Sequence, residues 1–421
     1  MSAPDPLAAL RIPFVRAFAA GRVASVAGAQ MLSTAVGWEL YERTGSAWSL
    51  GLVGLYEILP VFVWMIPAGN AADRYPRRRI AAAASTLLGV CALGLAAVAW
   101  TRGPTPWIYG LLVAVGTSRA FAGPSTGTIL PQLLDPDQFA NANSWLSATF
   151  ELASVLGPAI AGGVIAATGG AAVAFLLAAA GQGAFLACLA RVPRRDPPRG
   201  PASRGWREVF EGFAFVRRTP IFLAAITLDL FAVLLGGAVA LLPVFAKDVL
   251  HAGPTGLGWL RAAPGLGALT MALLSTRLRP WRRPGRALLA TVAGFGVATI
   301  GFGLSTSFVL SLGCLFLTGV FDSISVVIRM TLEQMVTPDA LRGRVSAIHF
   351  VFVGLSNEFG AFESGATAAL MGPVASVVLG GVGSLVVVGV VAVVWPFFRR
   401  IGPLHTLRPA GESAARGSAS E

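Results

Sequence analysis

Lysine is almost missing from this chain: of 421 residues only Lys247 is one, between Ala246 and Asp248. A phosphate-binding P-loop needs a Gly-Lys pair followed by Ser or Thr to hold phosphate and magnesium, so nucleotide-driven work by this chain alone has no footing. Cysteine and histidine are as scarce. Cys91, Cys188 and Cys314 fall in separate apolar segments and His251, His349 and His405 are scattered, so neither a disulfide framework nor a metal-ligand spacing is present. No nucleophile, base and orienting group assemble at a catalytic spacing, which argues against an enzyme. Charged residues make up only 12% of the chain, yet 32 basic against 20 acidic residues leave a net charge of +12. The basic residues sit in short loops between apolar segments, where they set orientation in a membrane, so nucleic acid is not an expected partner. A cleavable leader is also not expected: Ala27 to Ala29 mimic a cleavage site, but Arg16 and Arg22 interrupt the apolar core it would need.

What the chain has is apolar length. Hydrophobic residues make up 55% of it, and runs of about 20 residues, enough to cross a bilayer, recur throughout. Six segments fall at 18–41, 48–71, 80–100, 106–129, 146–167 and 171–190, and six more at 221–245, 257–278, 287–305, 308–332, 345–371 and 374–398. The expected fold is an all-α polytopic membrane protein of twelve transmembrane helices. It divides into an N-terminal six-helix bundle (1–190), a cytoplasmic linker (191–218), a C-terminal six-helix bundle (219–400) and a disordered cytoplasmic tail (401–421). The linker is rich in Pro, Gly and Arg, with an amphipathic helix expected over 206–216, where Val209, Phe210, Phe213 and Val216 share a face.

Outer loops hold only Arg43, Arg102 and Lys247, while Arg119, Arg261 and Arg329 lie within helices. The remaining basic residues fall in inner loops and termini, so both termini are expected to face the cytoplasm. An internal repeat agrees with two halves. A shift of 202 residues superimposes Gln132 on Gln334, Pro136 on Pro338 and Asp137 on Asp339, and RLRPWRRPGR sits where the first half has DRYPRRR. Repeated halves with sites at their interface are a transporter architecture, although coincidence of common loop residues would give a weaker version of the same match.

With no nucleotide site, an ion gradient is the remaining energy source, and carboxylates inside helices are the available ion binders. These are Glu57, Glu151, Asp229, Asp322, Glu358 and Glu363, with Glu39 and Glu333 nearer helix ends. A carboxylate at membrane depth costs roughly 2.5–3.5 kcal/mol even on the lenient scale, so each calls for a reason. In the tenth segment Thr318, Asp322, Ser325 and Arg329 are spaced by four, three and four residues and form a polar stripe. Gln30, Thr34, Gly37 and Tyr41 form a milder stripe in the first. For Asp322 and Arg329 two readings stand: coupling or substrate contact, or an ion pair that only fixes packing. In the eleventh segment, SNEFGAFESG places Asn357, Glu358 and Glu363 in mid-helix. The two acids lie about 140° apart around the axis, so one can face a pore and the other a neighbouring helix; the sequence does not say which.

GNAADRYPRRR resembles the GxxxDRxGRR loop between helices two and three of the major facilitator superfamily, with Gly69, Asp73, Arg74, Arg77 and Arg78 in place and Pro76 where the family has Gly. Arg119 and Gly123 match the superfamily's RxxxG pattern in helix four. GPAIAGG at 157–163 is similar to the antiporter-associated GPxxGG with one residue too many; close helix packing explains those glycines equally well. TPDALRGRV, SNEFGAFESG and GPVASVVLGG at 372–381, with TGSAWSLGLVGL at 44–55, resemble the enterobactin exporter-like subgroup.

The resemblance covers residues 15–400. It implies that helices one, four, seven and ten line a central cavity, to which Gln30, Thr34, Tyr41, Thr318 and Ser325 would contribute. Coupling candidates are then Asp322, Arg329, Asp229, Arg119, Glu57, Glu358, Glu363 and Asn357. It also implies a cytoplasmic latch of Gly69, Asp73, Arg74, Arg77 and Arg78 with Asp339 and Arg342 at the start of helix eleven, although Arg77 to Arg79 also serve as topology signals. The expected protein is a monomeric, proton-coupled exporter in a bacterial inner membrane, using a proton gradient and no cofactor, with a siderophore as the favoured small-molecule substrate. Multidrug or macrolide efflux is the alternative, and a non-transporting sensor or assembly partner is the alternative of another class.

Overall fold

The computed structural model describes residues 7–194, 213–275, 281–338 and 341–402; the side chains at 73, 136, 342–344, 347, 350 and 351 lie outside the described residues. Twelve long helices account for most of this chain: α1 Pro13–Thr44, α2 Ala47–Arg74, α3 Arg77–Trp100, α4 Thr105–Thr126, α5 Pro136–Thr168, α6 Ala172–Leu189, α7 Pro220–Leu235, α8 Gly253–Ser275, α9 Pro284–Leu304, α10 Phe308–Val336, α11 Arg342–Met371 and α12 Pro373–Val394. Among the described residues no strand occurs. Among the described residues nine helical stretches are long and apolar enough to cross a membrane. Of the remaining helices, α1 has its apolar run broken by Arg16, Arg22 and Glu39, and α4 is diluted by Gly, Pro, Ser and Thr.

Proline opens several of these helices. Pro13, Pro220, Pro284 and Pro373 occupy the first turn, where the missing N–H would have had no partner and the fixed φ already suits a helix. The turn between α11 and α12 is a single residue, Gly372, at φ 89°, a left-handed conformation that a side chain would strain. Pro76, which replaces the family's glycine, is accommodated without strain: it caps α3 at φ −55°, a value proline prefers.

Helix α7 departs from the sequence expectation. A single segment over 221–245 was predicted, but the helix stops at Leu235, and after Gly236–Gly237 the chain runs through a 3-10 turn at Ala238–Leu241 and a π-helical turn at Phe245–Val249. Two glycines and Pro243 weaken the ladder here. The amphipathic helix predicted over 206–216 lies mostly outside the described residues; 213–218 is helical, with Val216 buried.

The chain forms two compact units, one of residues 1–203 with 242–265, the other of 204–241 with 266–421. In the first, α1 packs on α5 and α6, α3 on α4 and α6, and α2 on α4. In the second, α7 packs on α11 and α12, and α9 on α10 and α12. The pairings of α1 with α5 and α6 and of α3 with α4 and α6 recur in the second unit six helices later, in keeping with the 202-residue sequence repeat. Alanine supplies much of the interior, with Ala35, Ala81, Ala92, Ala153, Ala161, Ala174 and Ala224 fully buried; small residues let helix axes approach where apolar solvent offers no hydrophobic drive. Large apolar side chains point outward, including Val309, Leu370 and Val393. Trp48, Trp100 and Trp107 stand exposed at the end of α2, α3 and α4 that carries few basic residues, as expected of an interfacial aromatic belt.

Candidate functional site

In the first unit, Arg119 of α4 reaches Glu57 of α2, with Nη1 at 2.5 Å from Oε2. Glu57 is 4% exposed, and its other oxygen, Oε1, is buried without a hydrogen bond. The approach depends on Gly116, one turn before Arg119. A Cβ there would stand 3.0 Å from the carbonyl carbon of Glu57, inside contact distance, so glycine allows α4 to lie against α2 where the pair forms. Two residues expected separately as coupling candidates are thus one ion pair, with the carboxylate buried and the guanidinium partly exposed.

Further polar contacts in this unit cross between helices. Gln182 of α6 and Ser25 of α1 exchange hydrogen bonds of 2.9 and 3.0 Å. Arg261 of α8 donates to Ser33 of α1 at 3.2 Å. At the end of α1, Tyr41 donates to Asp248, and Lys247 pairs with Glu42 at 2.9 Å with its ammonium 5.8 Å from the Tyr41 ring centre. Tyr41 and Thr34, expected to line a cavity, are buried instead. Tyr41 is committed to Asp248 and Thr34 to the Gln30 carbonyl at 2.8 Å; Gln30 is half-buried. GPAIAGG acts as a packing surface: a Cβ on Gly162 would come within 2.8 Å of the Gly258 Cα in α8, and one on Gly157 within 2.7 Å of Gln30 in α1.

In the second unit Arg329 of α10 pairs with Asp229 of α7, not with Asp322. Arg329 and Asp229 are 4% and 7% exposed, so both charges are withdrawn from water and each depends on the other. Of the α10 stripe, Thr318 and Ser325 are buried with Arg329, and the Thr318 hydroxyl bonds its own helix at 2.6 Å. They do not line an open surface. Asp322 alone in the stripe is exposed, and no hydrogen bond or ion pair engages it among the described residues. On α11, Ser356, Gly360 and Ser364 form the face packed on α7, where Gly360 lies against the Leu234 backbone. Glu358 and Glu363 are both half-buried, Glu363 accepting from Thr367 at 2.9 Å, while exposed Asn357 bonds back to Val353 at 2.8 Å.

Of the expected latch, Asp339 lies outside the described residues, as do the side chains of Asp73 and Arg342. Gly69 touches no neighbour where a Cβ would stand, and Arg74 is exposed. Arg77 bridges to the repeat motif: with its amide turned to satisfy both partners, Gln132 accepts from Arg77 at 3.1 and 3.3 Å. Arg78 caps α6, donating to the carbonyls of Val192 at 2.6 Å and Ala190 at 3.0 Å, which satisfies groups that a helix end leaves open.

One cluster escaped the sequence reading. Glu333, near the end of α10, accepts from Ser346 Oγ at 2.5 Å and faces His349 Nδ1 at 3.1 Å, both partners on α11. Glu333 continues the α10 stripe four residues beyond Arg329, a spacing visible in the sequence. Nothing in the periodicity of α11 links Ser346 and His349 to it across the two helices.

Recurring helix pairings, an apolar exterior and unlike charges matched inside each unit define a multi-pass membrane protein. The match to the Major Facilitator Superfamily spans residues 18–361, and the chain belongs to that family. Its relatives include enterobactin exporters, EntS, from Shigella boydii serotype 18 (30% identical over 378 residues, 89% of this chain and 90% of the relative) and from Citrobacter koseri (30% over 380 residues, 90% of each). In fold it resembles the nucleoside transporter NupG (TM-score 0.70, 14% identity, 91% of this chain and 100% of that one) and a POT family transporter in complex with 5-aminolevulinic acid (TM-score 0.72, 11% identity, 91% and 96%). The chain is a transporter and not an enzyme.

Proposed function

We propose that this chain is a secondary active exporter that moves a siderophore-like small organic molecule out of a bacterial cytoplasm by alternating access, driven by the proton gradient, with both termini in the cytoplasm of an inner-membrane protein. Export of a siderophore rests on the relatives, enterobactin exporters aligned over about nine-tenths of both chains. Proton coupling rests chiefly on Asp322: an exposed mid-helix carboxylate with no cation partner among the described residues, on the same helix as the buried Arg329–Asp229 pair. An acid that alternates between a solvated and a secluded setting takes up and releases a proton. Glu57, with one buried oxygen unpartnered beside Arg119, is the corresponding candidate in the first unit.

Inverted membrane vesicles carrying an imposed proton gradient test both parts. Addition of a catecholate siderophore dissipates the gradient with the parent chain and not with Asp322→Asn. Equal proton flux in the variant removes Asp322 from coupling. Siderophore binding without any flux would identify a non-transporting sensor, and flux with a macrolide but not a siderophore would move the substrate class.

A further inference from the structure

A cavity of about 750 Å³ lies within the first unit, where the end of α1 meets the α3–α4 turn, the α5–α6 turn and the start of α8. Trp38 of α1 and Ile165 of α5 give it an apolar wall, and Glu39, Glu42, Arg43 and Arg102 are its charged side chains. Three of these four are answered within the chain. Arg43 holds Glu39 through two nitrogens, at 2.7 and 2.6 Å, and donates to the carbonyls of Gly103 at 2.6 Å and Val98 at 3.0 Å, which staples α1 to the α3–α4 turn along one side of the cavity. Glu42 pairs with Lys247 at 2.9 Å. Asp248, next in the chain, is bonded by Tyr41 and does not line the cavity. The Arg102 guanidinium takes part in no hydrogen bond or ion pair among the described residues, so one positive charge is left unanswered in the cavity lining.

The same residue holds a backbone conformation that arginine does not favour. Helix α3 ends with the Gly103 N–H donating to the Val98 carbonyl at 2.9 Å and the Arg102 N–H to the Ala99 carbonyl at 3.4 Å, the pairing in which the residue just past the helix is left-handed and most often glycine. Arg102 stands there at φ 50°, a strained position for a residue that carries a Cβ. No bond of its side chain within the described residues compensates that strain.

Depth in the membrane decides what reaches this charge. Trp100 and Trp107 bracket Arg102 in the sequence and are 72% and 66% exposed, and exposed tryptophans at helix ends mark the level of the lipid headgroups. At that level an arginine fork meets phosphodiester oxygens in pairs. We propose that the cavity binds the phosphodiester headgroup of a membrane lipid, with Arg102 as its anion contact and the wall of Trp38 and Ile165 against the glycerol esters. Such binding requires a membrane protein and no particular cargo, so it stands or falls separately from the transport reading.

Native mass spectrometry of the full-length protein, released from detergent micelles, measures the dissociation constant of the first bound phosphatidylglycerol, beside diacylglycerol with the same acyl chains and inorganic phosphate alone. Arg102→Gly removes the guanidinium and places at a left-handed position the residue that suits it, so the variant keeps its fold. The parent chain binds phosphatidylglycerol at least roughly tenfold more tightly than diacylglycerol, and Arg102→Gly loses that factor, as the loss of a charge-assisted hydrogen bond gives. Unchanged phosphatidylglycerol affinity in Arg102→Gly, or equal affinity of the parent chain for diacylglycerol, overturns the proposal. Inorganic phosphate that binds through Arg102 as tightly as the lipid also overturns it and makes the cavity a site for a free anion. Arg102→Gln, neutral and of similar length, replaces Arg102→Gly if the latter fails to fold.

Discussion

Asp229→Asn leaves the Arg329 guanidinium buried at 4% exposure with no carboxylate opposite it. Breaking a buried pair on one side costs about 3–5 kcal/mol, because the surviving charge has lost both water and its partner. Replacing both residues by apolar ones of similar volume, Asp229→Leu with Arg329→Met, removes the charge and the desolvation cost together and is expected to be neutral or stabilising by about 1–4 kcal/mol. The two single variants and the double variant form a cycle whose coupling energy equals most of the single loss. Unfolding titration in mixed micelles measures it. If Asp229→Asn loses under about 1 kcal/mol, the value for a solvated pair, the charges are not buried in the working protein and the reasoning fails. Transport by the stable double variant then asks of the Arg329–Asp229 pair what the sequence asked of Asp322 and Arg329: retained flux means packing alone, and lost flux in a folded protein means coupling.

Two glycines of α4 should respond in opposite directions. Gly110→Ala enters open space and is expected to be neutral or stabilising by about 0.4–1 kcal/mol, whereas Gly116→Ala presses a Cβ into the Glu57 backbone and is expected to cost about 1–3 kcal/mol in the same titration. Equal effects would mean that α4 and α2 are not in close contact. The single lysine tests orientation: a membrane-impermeant amine reagent should label intact cells through Lys247, which is 36% exposed in its side chain, and labelling should vanish in Lys247→Arg. Labelling only after lysis would place that loop on the cytoplasmic side. The same Lys247→Arg change should leave stability within about 1 kcal/mol, because its pair with Glu42 is solvated.

Where the residues themselves impose a physical constraint, the sequence was sufficient. Apolar runs of membrane length predicted the helices, and the α11 estimate of 345–371 differs from Arg342–Met371 only at its start. The α5 start at Pro136, ten residues before the estimate, was hidden because the polar first turns FANANSW carry no apolar run, although Asp135 and Pro136 are helix-start residues. The 202-residue repeat pointed to two related halves, and the pairings of α1 and α3 with their neighbours recur at α7 and α9.

Pairing across helices was decided only by the fold. Periodicity places Arg329 and Asp322 on one stripe of α10, yet the charge is satisfied from α7, by Asp229, because an ion pair is set by distance in space and not by spacing along one helix. Glu57 and Arg119 were legible as unusual residues and not as partners; the close approach permitted by Gly116 joins them. The break of α7 at Gly236–Gly237 and the packing of 242–265 with the first unit depend on contacts that no local pattern encodes. Glu333 with Ser346 and His349 is the same case. A sequence shows which residues are expensive to bury, and tertiary structure alone shows what compensates them.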